Sequence, residues 1–368
     1  MVTMQDVAER AGVTKQTVSN VVTGRVAVRP STEARVRAAI DELGYVPNLV
    51  ARSLATGSTR TVGLFVPTVS TPFYAEVVEE VEDALEERGY HLLLCTTRLD
   101  GERARRHLAS LTSRSVDALL IAGDQGLTGH LPLLAGARFP VVLCAWEAAL
   151  PAGFPVVTFD YTHGGRLAGR HLRELGHERV AVLASPAHGV RVEGFRRAFA
   201  EDGITVPDSA VHTAAGPTFR GGLAAARAAL GATPDATALF ATHDVLAAAA
   251  VEAARTAGRS VPHDLSVVAY DDTPEGLLSR SALTSVVLPK RRMAREAVRL
   301  LLESLASGTR PKHEPRLLLP ELATGDSTAA AIARLTGAPA SRPRSPRPRP
   351  TAPDPSTGPA LPPGRAPG

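Results

Sequence analysis

Residues 4–22 read MQDVAERAGVTKQTVSNVV, and this stretch decides the architecture of the N-terminus. Val7, Ala8 and Ala11 fall on one helical face, Thr3 followed by Asp6 resembles a capping box, and Gly12 stops the first helix. Thr14 can cap a second helix, Lys15 to Val22, which turns Val18, Val21 and Val22 inward and leaves Lys15, Gln16, Ser19 and Asn20 pointing elsewhere. A short helix, a turn at Gly12-Val13-Thr14 and a second helix, with the small Ala8 at the crossing, have the spacing of a helix-turn-helix. The polar residues opening the second helix can reach base edges. Pro30 and Ser31 open a third helix with Val36, Ala39, Ile40 and Leu43 at core spacing, and Gly44 closes it.

Beyond Tyr45, Val46-Pro47-Asn48 breaks the helix. Asn48 can cap a short stretch, Leu49 to Ala55, before Gly57 and Ser58 end it. About two turns of helix are unstable alone in water, so this segment needs a partner to form.

From Thr61 the texture changes to apolar runs alternating with amphipathic helices. The strand-like runs are Val62 to Pro67, His91 to Thr96, Ala118 to Ala122, Val141 to Ala145, Val156 to Phe159, Val180 to Ala184, Ala238 to Ala241 and Ser266 to Tyr270. The helices are Phe73 to Arg88, Glu102 to Ser113, Thr162 to Leu175, Arg191 to Glu201, Arg220 to Leu230 and His243 to Ala257. Repeated β-α-β construction implies parallel sheets covered on both faces, and roughly 270 residues of it suit two lobes better than one. The expected fold is an all-α helix-turn-helix headpiece followed by an α/β core of two doubly wound parallel-sheet lobes. Its divisions are a headpiece at 1–46, a hinge and linker at 47–60, the core at 61–327 and a tail at 328–368.

Charge follows the same divisions. The net +4 of the 368 residues resolves into +3 over 1–60, −4 over 61–327 and +5 over 328–368. A basic small module beside an acidic large one points to nucleic acid at one end and another task in the middle. Residues 339–368 hold 11 of the 29 prolines, a composition expected to be disordered.

Several function classes drop out. No apolar run approaches the about 18 to 20 residues of a membrane helix, and MVTMQDVAER lacks a basic n-region or an apolar h-region, so a cytoplasmic location is expected. The two cysteines, Cys95 and Cys144, sit in the runs HLLLC and VVLC as small buried hydrophobes. The histidines show no metal-ligand spacing, and neither GxGxxG after a strand nor GxxxxGK[ST] occurs, so no metal or cofactor is expected.

The chain from residue 2 to 327 resembles the LacI/GalR family of transcriptional regulators. The resemblance rests on DVAERAGVTKQTVSNVV, ELGYVPNLVARSLATG, TVGLFVPTVSTPFYAEV and LSVVAYDDTPEGLLSRSALTSV. It implies a headpiece, a hinge helix and a two-lobed effector-binding core like that of periplasmic sugar-binding proteins. It implies further that Lys15, Gln16 and Asn20 read the major groove; Thr3, Thr14, Ser19 and Thr32 are read as helix caps or phosphate contacts, and Thr17 is a further DNA-binding candidate. Asn48, Arg52 and Leu54 fall in the implied hinge, with Leu54 as a wedge in the minor groove. In the core the resemblance implies effector contacts from Phe73, Tyr74, Asp160, Arg191, His243 and Asp271. Relatives often carry Arg at the position of Asn20 and Asn at those of Tyr161 and His243, so neither operator nor ligand can be copied. Trp146, the only tryptophan, lines the cleft or an interface, or simply packs. The expected partners are a palindromic double-stranded DNA operator, a sugar-like effector and a second copy of the chain in a homodimer. A ligand acting as corepressor, or activation of transcription, is the alternative. An enzyme or a periplasmic solute-binding protein on the same core is the rival class.

Overall fold

In the computed structural model the described residues are 2–24, 26–46, 53, 56–111, 115–123, 127–134, 136–216, 218–271, 282–309 and 314–331. The hinge assignments Asn48, Arg52 and Leu54, and the chain from 332 onward, lie outside them.

The headpiece is three helices: α1 (Met4–Ala11), α2 (Lys15–Thr23) and α3 (Pro30–Leu43). The Thr3 hydroxyl accepts from the Asp6 amide and the Asp6 carboxylate accepts from Thr3, the reciprocal capping box expected. Thr14 caps α2 by accepting from the Thr17 amide. Gly12 and Gly44 end their helices at φ 63° and 61°, left-handed values that cost a residue with a Cβ. Val7, Ala8, Ala11, Val18, Val36, Ala39 and Tyr45 form a small closed core, with Val21, Val22, Ile40 and Leu43 packed at its edge.

The rest is two six-stranded sheets. Lobe 1 contains β1 (Thr61–Val66), α4 (Pro72–Glu86), β2 (His91–Thr96), α5 (Gly101–Leu111), β3 (Ala118–Ala122), β4 (Val141–Cys144) and β5 (Val156–Phe159). Lobe 2 contains α6 (Tyr161–Glu174), β6 (Val180–Ala184), α7 (Gly189–Ala200), β7 (Val211–Thr213), α8 (Phe219–Ala232), β8 (Ala238–Ala241), α9 (Asp244–Thr256), β9 (Ser266–Tyr270) and β10 (Thr284–Val287). The chain then returns to lobe 1 as α10 (Lys290–Ser307), packed on α4 and the sheet, and as β11 (Arg316–Leu318), and crosses again to close lobe 2 with β12 (Glu321–Ala323). The strand orders are β11-β5-β4-β3-β1-β2 and β12-β10-β9-β8-β6-β7. All pairings are parallel except β10 with β12. The chain thus passes between lobes three times, near Asp160, Leu288 and Pro320.

The eight strand-like runs and six helices expected of the core are present, with ends shifted by a residue or two. Among the described residues four strands and one helix are additional. The strands β7, β11 and β12 are three residues long, and even the leucines at 317–319 make only a short apolar run. Helix α10 buries Met293, Ala294, Ala297, Val298, Leu300 and Leu301 at helical spacing, a stripe obscured by the arginines at 291, 292, 295 and 299.

Two other differences concern burial and the tail. Cys144 is buried, but Cys95 is only half-buried because β2 is an edge strand. Residues 328–331, grouped with the tail on composition, are bound to lobe 2: the Ala329 amide donates to Ser266 Oγ and the Ala331 amide to the Leu175 carbonyl. Among the described residues no helix is long and apolar enough to cross a membrane, and no cluster of side chains has the make-up of a metal site.

Glycine fixes one contact that matters below. A Cβ on Gly165 would run into the Arg191 carbonyl, and one on Gly194 into the Thr162 carbonyl, so α6 and α7 cross backbone to backbone. This close approach sets where α7 carries Arg191.

Candidate functional site

The C-terminal ends of the parallel strands, where open α/β sheets bind ligands, converge between the lobes. From lobe 1 come Glu147, just beyond β4, and Asp160, beyond β5. From lobe 2 come Ser185 and His188 beyond β6, Thr242, His243 and Asp244 beyond β8, and Asp271 beyond β9. Two of these turns are strained. Ala145 at φ 48° and Asp271 at φ 87° are non-glycine residues in left-handed backbone, and such outliers gather at binding sites because surrounding packing holds them there.

Arg191, near the start of α7, is the hub. Its Nε donates to Glu147 Oε1 and Oε2 at 3.0 and 3.1 Å, and Nη2 to Oε2 at 2.8 Å, a bidentate fork. Its Nη1 donates to the Thr242 carbonyl at 2.7 Å and to Asp271 Oδ1 at 3.0 Å. The guanidinium lies 4.3 Å from the ring centre of Tyr270 and 4.8 Å from that of Tyr161, a cation–π sandwich. Burial by itself would lower the Arg191 pKa. Glu147 and Asp271 more than offset this and hold it well above its ordinary value, fully charged. Burial pushes Asp271 up, with Arg191 opposing. Burial, then Arg191 and His243, drive His188 well below the usual histidine range, so its ring is neutral.

Three buried polar atoms on this wall have no hydrogen-bond partner: Ser185 Oγ, His243 Nε2 and Asp244 Oδ2. They belong to one cluster. His188 Nδ1 is 3.0 Å from Thr242 Oγ1, the Ser185 amide donates to the same hydroxyl, and the His188 and His243 rings meet edge to face at 5.7 Å. Orphaned buried groups of this kind call for a ligand or water.

Of the effector residues expected from sequence, Arg191, His243 and Asp271 are brought together here. Asp160 stands at the N-cap of α6, where one carboxylate oxygen accepts from the His163 amide at 2.8 Å. Phe73 is buried edge-on to Phe159, and Tyr74 packs edge-on to Phe73. Trp146 is buried in the lobe 1 core with Phe65, Leu119 and Leu143. Glu147, His188 and Thr242 were not singled out from sequence. Asp160 and Asp271 are expected from the family resemblance; Glu147 shares with them a place just past an apolar run, and that is the signal that could have found it.

A separate 760 Å³ groove between α4 and α10 is lined by Glu76, Glu80, Arg88 and the α10 arginines. Its rim is occupied by ion pairs such as Arg295 with Glu87.

On the headpiece, Lys15 and Gln16 are exposed, and Thr17, Ser19 and Asn20 are half-buried. Gln16 Nε2 donates to Asn20 Oδ1 at 3.1 Å, so these two amides share one face of α2. Thr3 and Thr14 are both engaged as helix caps.

Residues 3–48 match the bacterial regulatory proteins of the lacI family, and residues 170–328 match the periplasmic binding protein-like domain. The HTH-type transcriptional repressor PurR of Proteus mirabilis is 35% identical over 312 residues, 83% of this chain and 91% of that protein. The chain belongs to the LacI family. This LacI-family protein is a DNA-binding transcriptional repressor with a periplasmic-binding-protein-like core, and not an enzyme. Among solved structures it is similar to the complex of the transcriptional regulator CelR with cellobiose, at 34% identity and TM-score 0.65, covering 89% of this chain and 100% of that one. It is also similar to the Lac repressor dimer bound to operator and the anti-inducer ONPF, at 27% identity and TM-score 0.78, covering 89% and 99%.

Proposed function

We propose that this repressor binds a palindromic operator as a homodimer and is released from it by a small carbohydrate-like molecule held between the lobes. The observation that carries the ligand half is the cluster around Arg191, with its buried charges and the unpartnered atoms of Ser185, His243 and Asp244. Hydroxyls both donate and accept, and so match that mixture. The CelR complex holds a disaccharide, cellobiose, in a relative of 34% identity.

The DNA half rests on the headpiece. Lys15, Gln16 and Asn20 are the proposed major-groove readers, Thr3, Thr14, Ser19 and Thr32 the groups that cap or position, and Thr17 a further DNA contact. Asn48, Arg52 and Leu54 lie outside the described residues, and the role proposed for them is contact with the minor groove at the operator centre. The functional divisions proposed are a headpiece at 1–46, a hinge and linker at 47–60 and a core from 61 that extends to 331, because 328–331 are bound to lobe 2, with the tail beyond it. Effector contacts come from Arg191, His243 and Asp271, with Phe73, Tyr74 and Asp160 at the lobe 1 edge. Ligand binding shifts the lobes, and the shift is linked to hinge pairing and operator affinity. A carboxylate of the chain itself, Glu147, already bridges the lobes, which favours a ligand that releases DNA over one required to hold it.

The test is selection of random DNA by purified full-length protein at fixed salt. A palindrome with a central pyrimidine–purine step supports paired headpieces and a hinge wedge. Operator release by a neutral sugar supports the ligand class, and tighter operator binding on adding sugar reverses the sign.

A further inference from the structure

A buried arginine between two lobes is an obvious receptor for a ligand carboxylate or phosphate, since its planar fork matches both. In this chain the fork is occupied. Glu147, from the facing lobe, accepts from Nε and Nη2, and Thr242 and Asp271 accept from Nη1. The side chains of Arg191 and Glu147 are 5% and 6% exposed, so no solvent path loosens the pair.

The remaining charge around the site is negative. Asp271, Asp244 and Asp160 all act on this cluster. The nearby cation Lys290 is matched by Glu76 at 2.6 Å and donates to the Asp271 carbonyl, and His188 is neutral. The polar atoms without partners are a hydroxyl oxygen, a ring nitrogen and a carboxylate oxygen.

We propose that Glu147 is the selectivity residue of the effector site: by filling the bidentate edge of Arg191 it restricts the site to uncharged, hydroxyl-rich molecules and excludes carboxylated or phosphorylated ones. The inference rests on the ligand reading above and narrows it. An anion entering the site must either face the carboxylates directly or displace Glu147, which strands a buried charge beside Asp271. A neutral polyol meets neither cost and supplies donors to Asp244 Oδ2 and partners to Ser185 and His243. Selection is therefore by a built-in repulsive element as much as by attraction.

The experiment compares full-length wild type, Glu147→Gln and Glu147→Ala, and Glu147→Ala combined with Arg191→Met. The first probe is sodium propionate against sodium chloride at equal ionic strength, read by the emission of Trp146, adjacent to Glu147 and the only tryptophan, and by melting temperature. Propionate is expected to leave wild type unchanged, to bind Glu147→Ala saturably while restoring part of its lost melting temperature, and to do neither in the double variant. Propionate acting on wild type as strongly as on Glu147→Ala, or failing to act on Glu147→Ala, overturns the proposal.

The second probe pairs cellobiose with its aldonic acid, cellobionate. Glu147→Gln, which keeps the size of the side chain, is expected to gain about tenfold or more in affinity for the acid, the scale of one relieved unfavourable contact. An unchanged preference counts against the proposal. If propionate rescues Glu147→Ala but no neutral sugar alters operator binding, the carbohydrate reading fails while the charge selectivity stands.

Discussion

Glu147 and Arg191 face each other across the two lobes and are joined by a bidentate ion pair at 2.8 to 3.1 Å. One residue follows β4 of the first sheet and the other opens α7 of the second, 44 positions later. A pair this buried is worth little net against apolar substitutes, yet breaking it from one side is costly.

Arg191→Met leaves Glu147 and Asp271 buried without their shared cation. The expected loss is about 3 to 5 kcal/mol in chemical denaturation, the usual cost of stranding a buried charge. Adding Glu147→Gln to it is expected to recover part of that loss. Equal stability of the single and double variants would refute the coupling.

Stability is expected to fall as pH drops from 7 towards 5. Burial, as the largest cause, lowers the pKa of His171, His177 and His188 in the folded chain. The unfolded chain therefore takes up protons below about pH 6.5 that the folded one refuses. Asp271, raised by burial, acts in the opposite sense, because its folded form binds a proton before the unfolded one does. Melting curves of wild type and His188→Gln check the assignment. A smaller loss between pH 7 and 5 in the variant is expected, and an identical slope would remove His188 from the account.

Gly194→Ala and Gly189→Ala test the α6–α7 crossing. A methyl at Gly194 meets the Thr162 backbone, whereas at Gly189 nothing lies within 4 Å. The first is expected to destabilise by several kcal/mol or to prevent soluble expression. The second is expected to be neutral or slightly stabilising. Comparable melting temperatures would mean that the helices do not approach as described.

The two thiols are expected to differ in reactivity. Burial raises both, Cys144 to about 12 and Cys95 less. Thiol titration of native protein is expected to label Cys95 slowly and Cys144 only on unfolding, and fast labelling of Cys144 would contradict its burial.

On the headpiece, Thr14→Ala removes the side-chain cap of α2 and is expected to cost about 1 kcal/mol of headpiece stability. Gln16→Ala is expected to relax base preference at one position of the selected operator, by about 1 to 3 kcal/mol of discrimination. Lys15→Met is expected to weaken binding and alter its salt dependence. A selected motif unchanged by Gln16→Ala would move the readout elsewhere on α2.

What the sequence by itself determined is local or periodic. The headpiece followed from caps, glycines and apolar spacing within 45 residues, because those interactions span three or four positions and leave their mark in the string. The alternation of apolar runs with amphipathic helices indicated two parallel-sheet lobes for the same reason. Arg191 and Asp271 were legible through the family resemblance of the segments that carry them.

Tertiary structure alone decided what those charges do. The union of Glu147 with Arg191 depends on the C-terminal strand ends of the two sheets facing each other and on glycines 165 and 194 letting α7 sit close to α6. No periodicity encodes a contact between separate lobes. The return of α10 to lobe 1, and the split of β11 and β12 between the lobes, were equally invisible, since strands of three residues acquire their identity only from the neighbours they pair with.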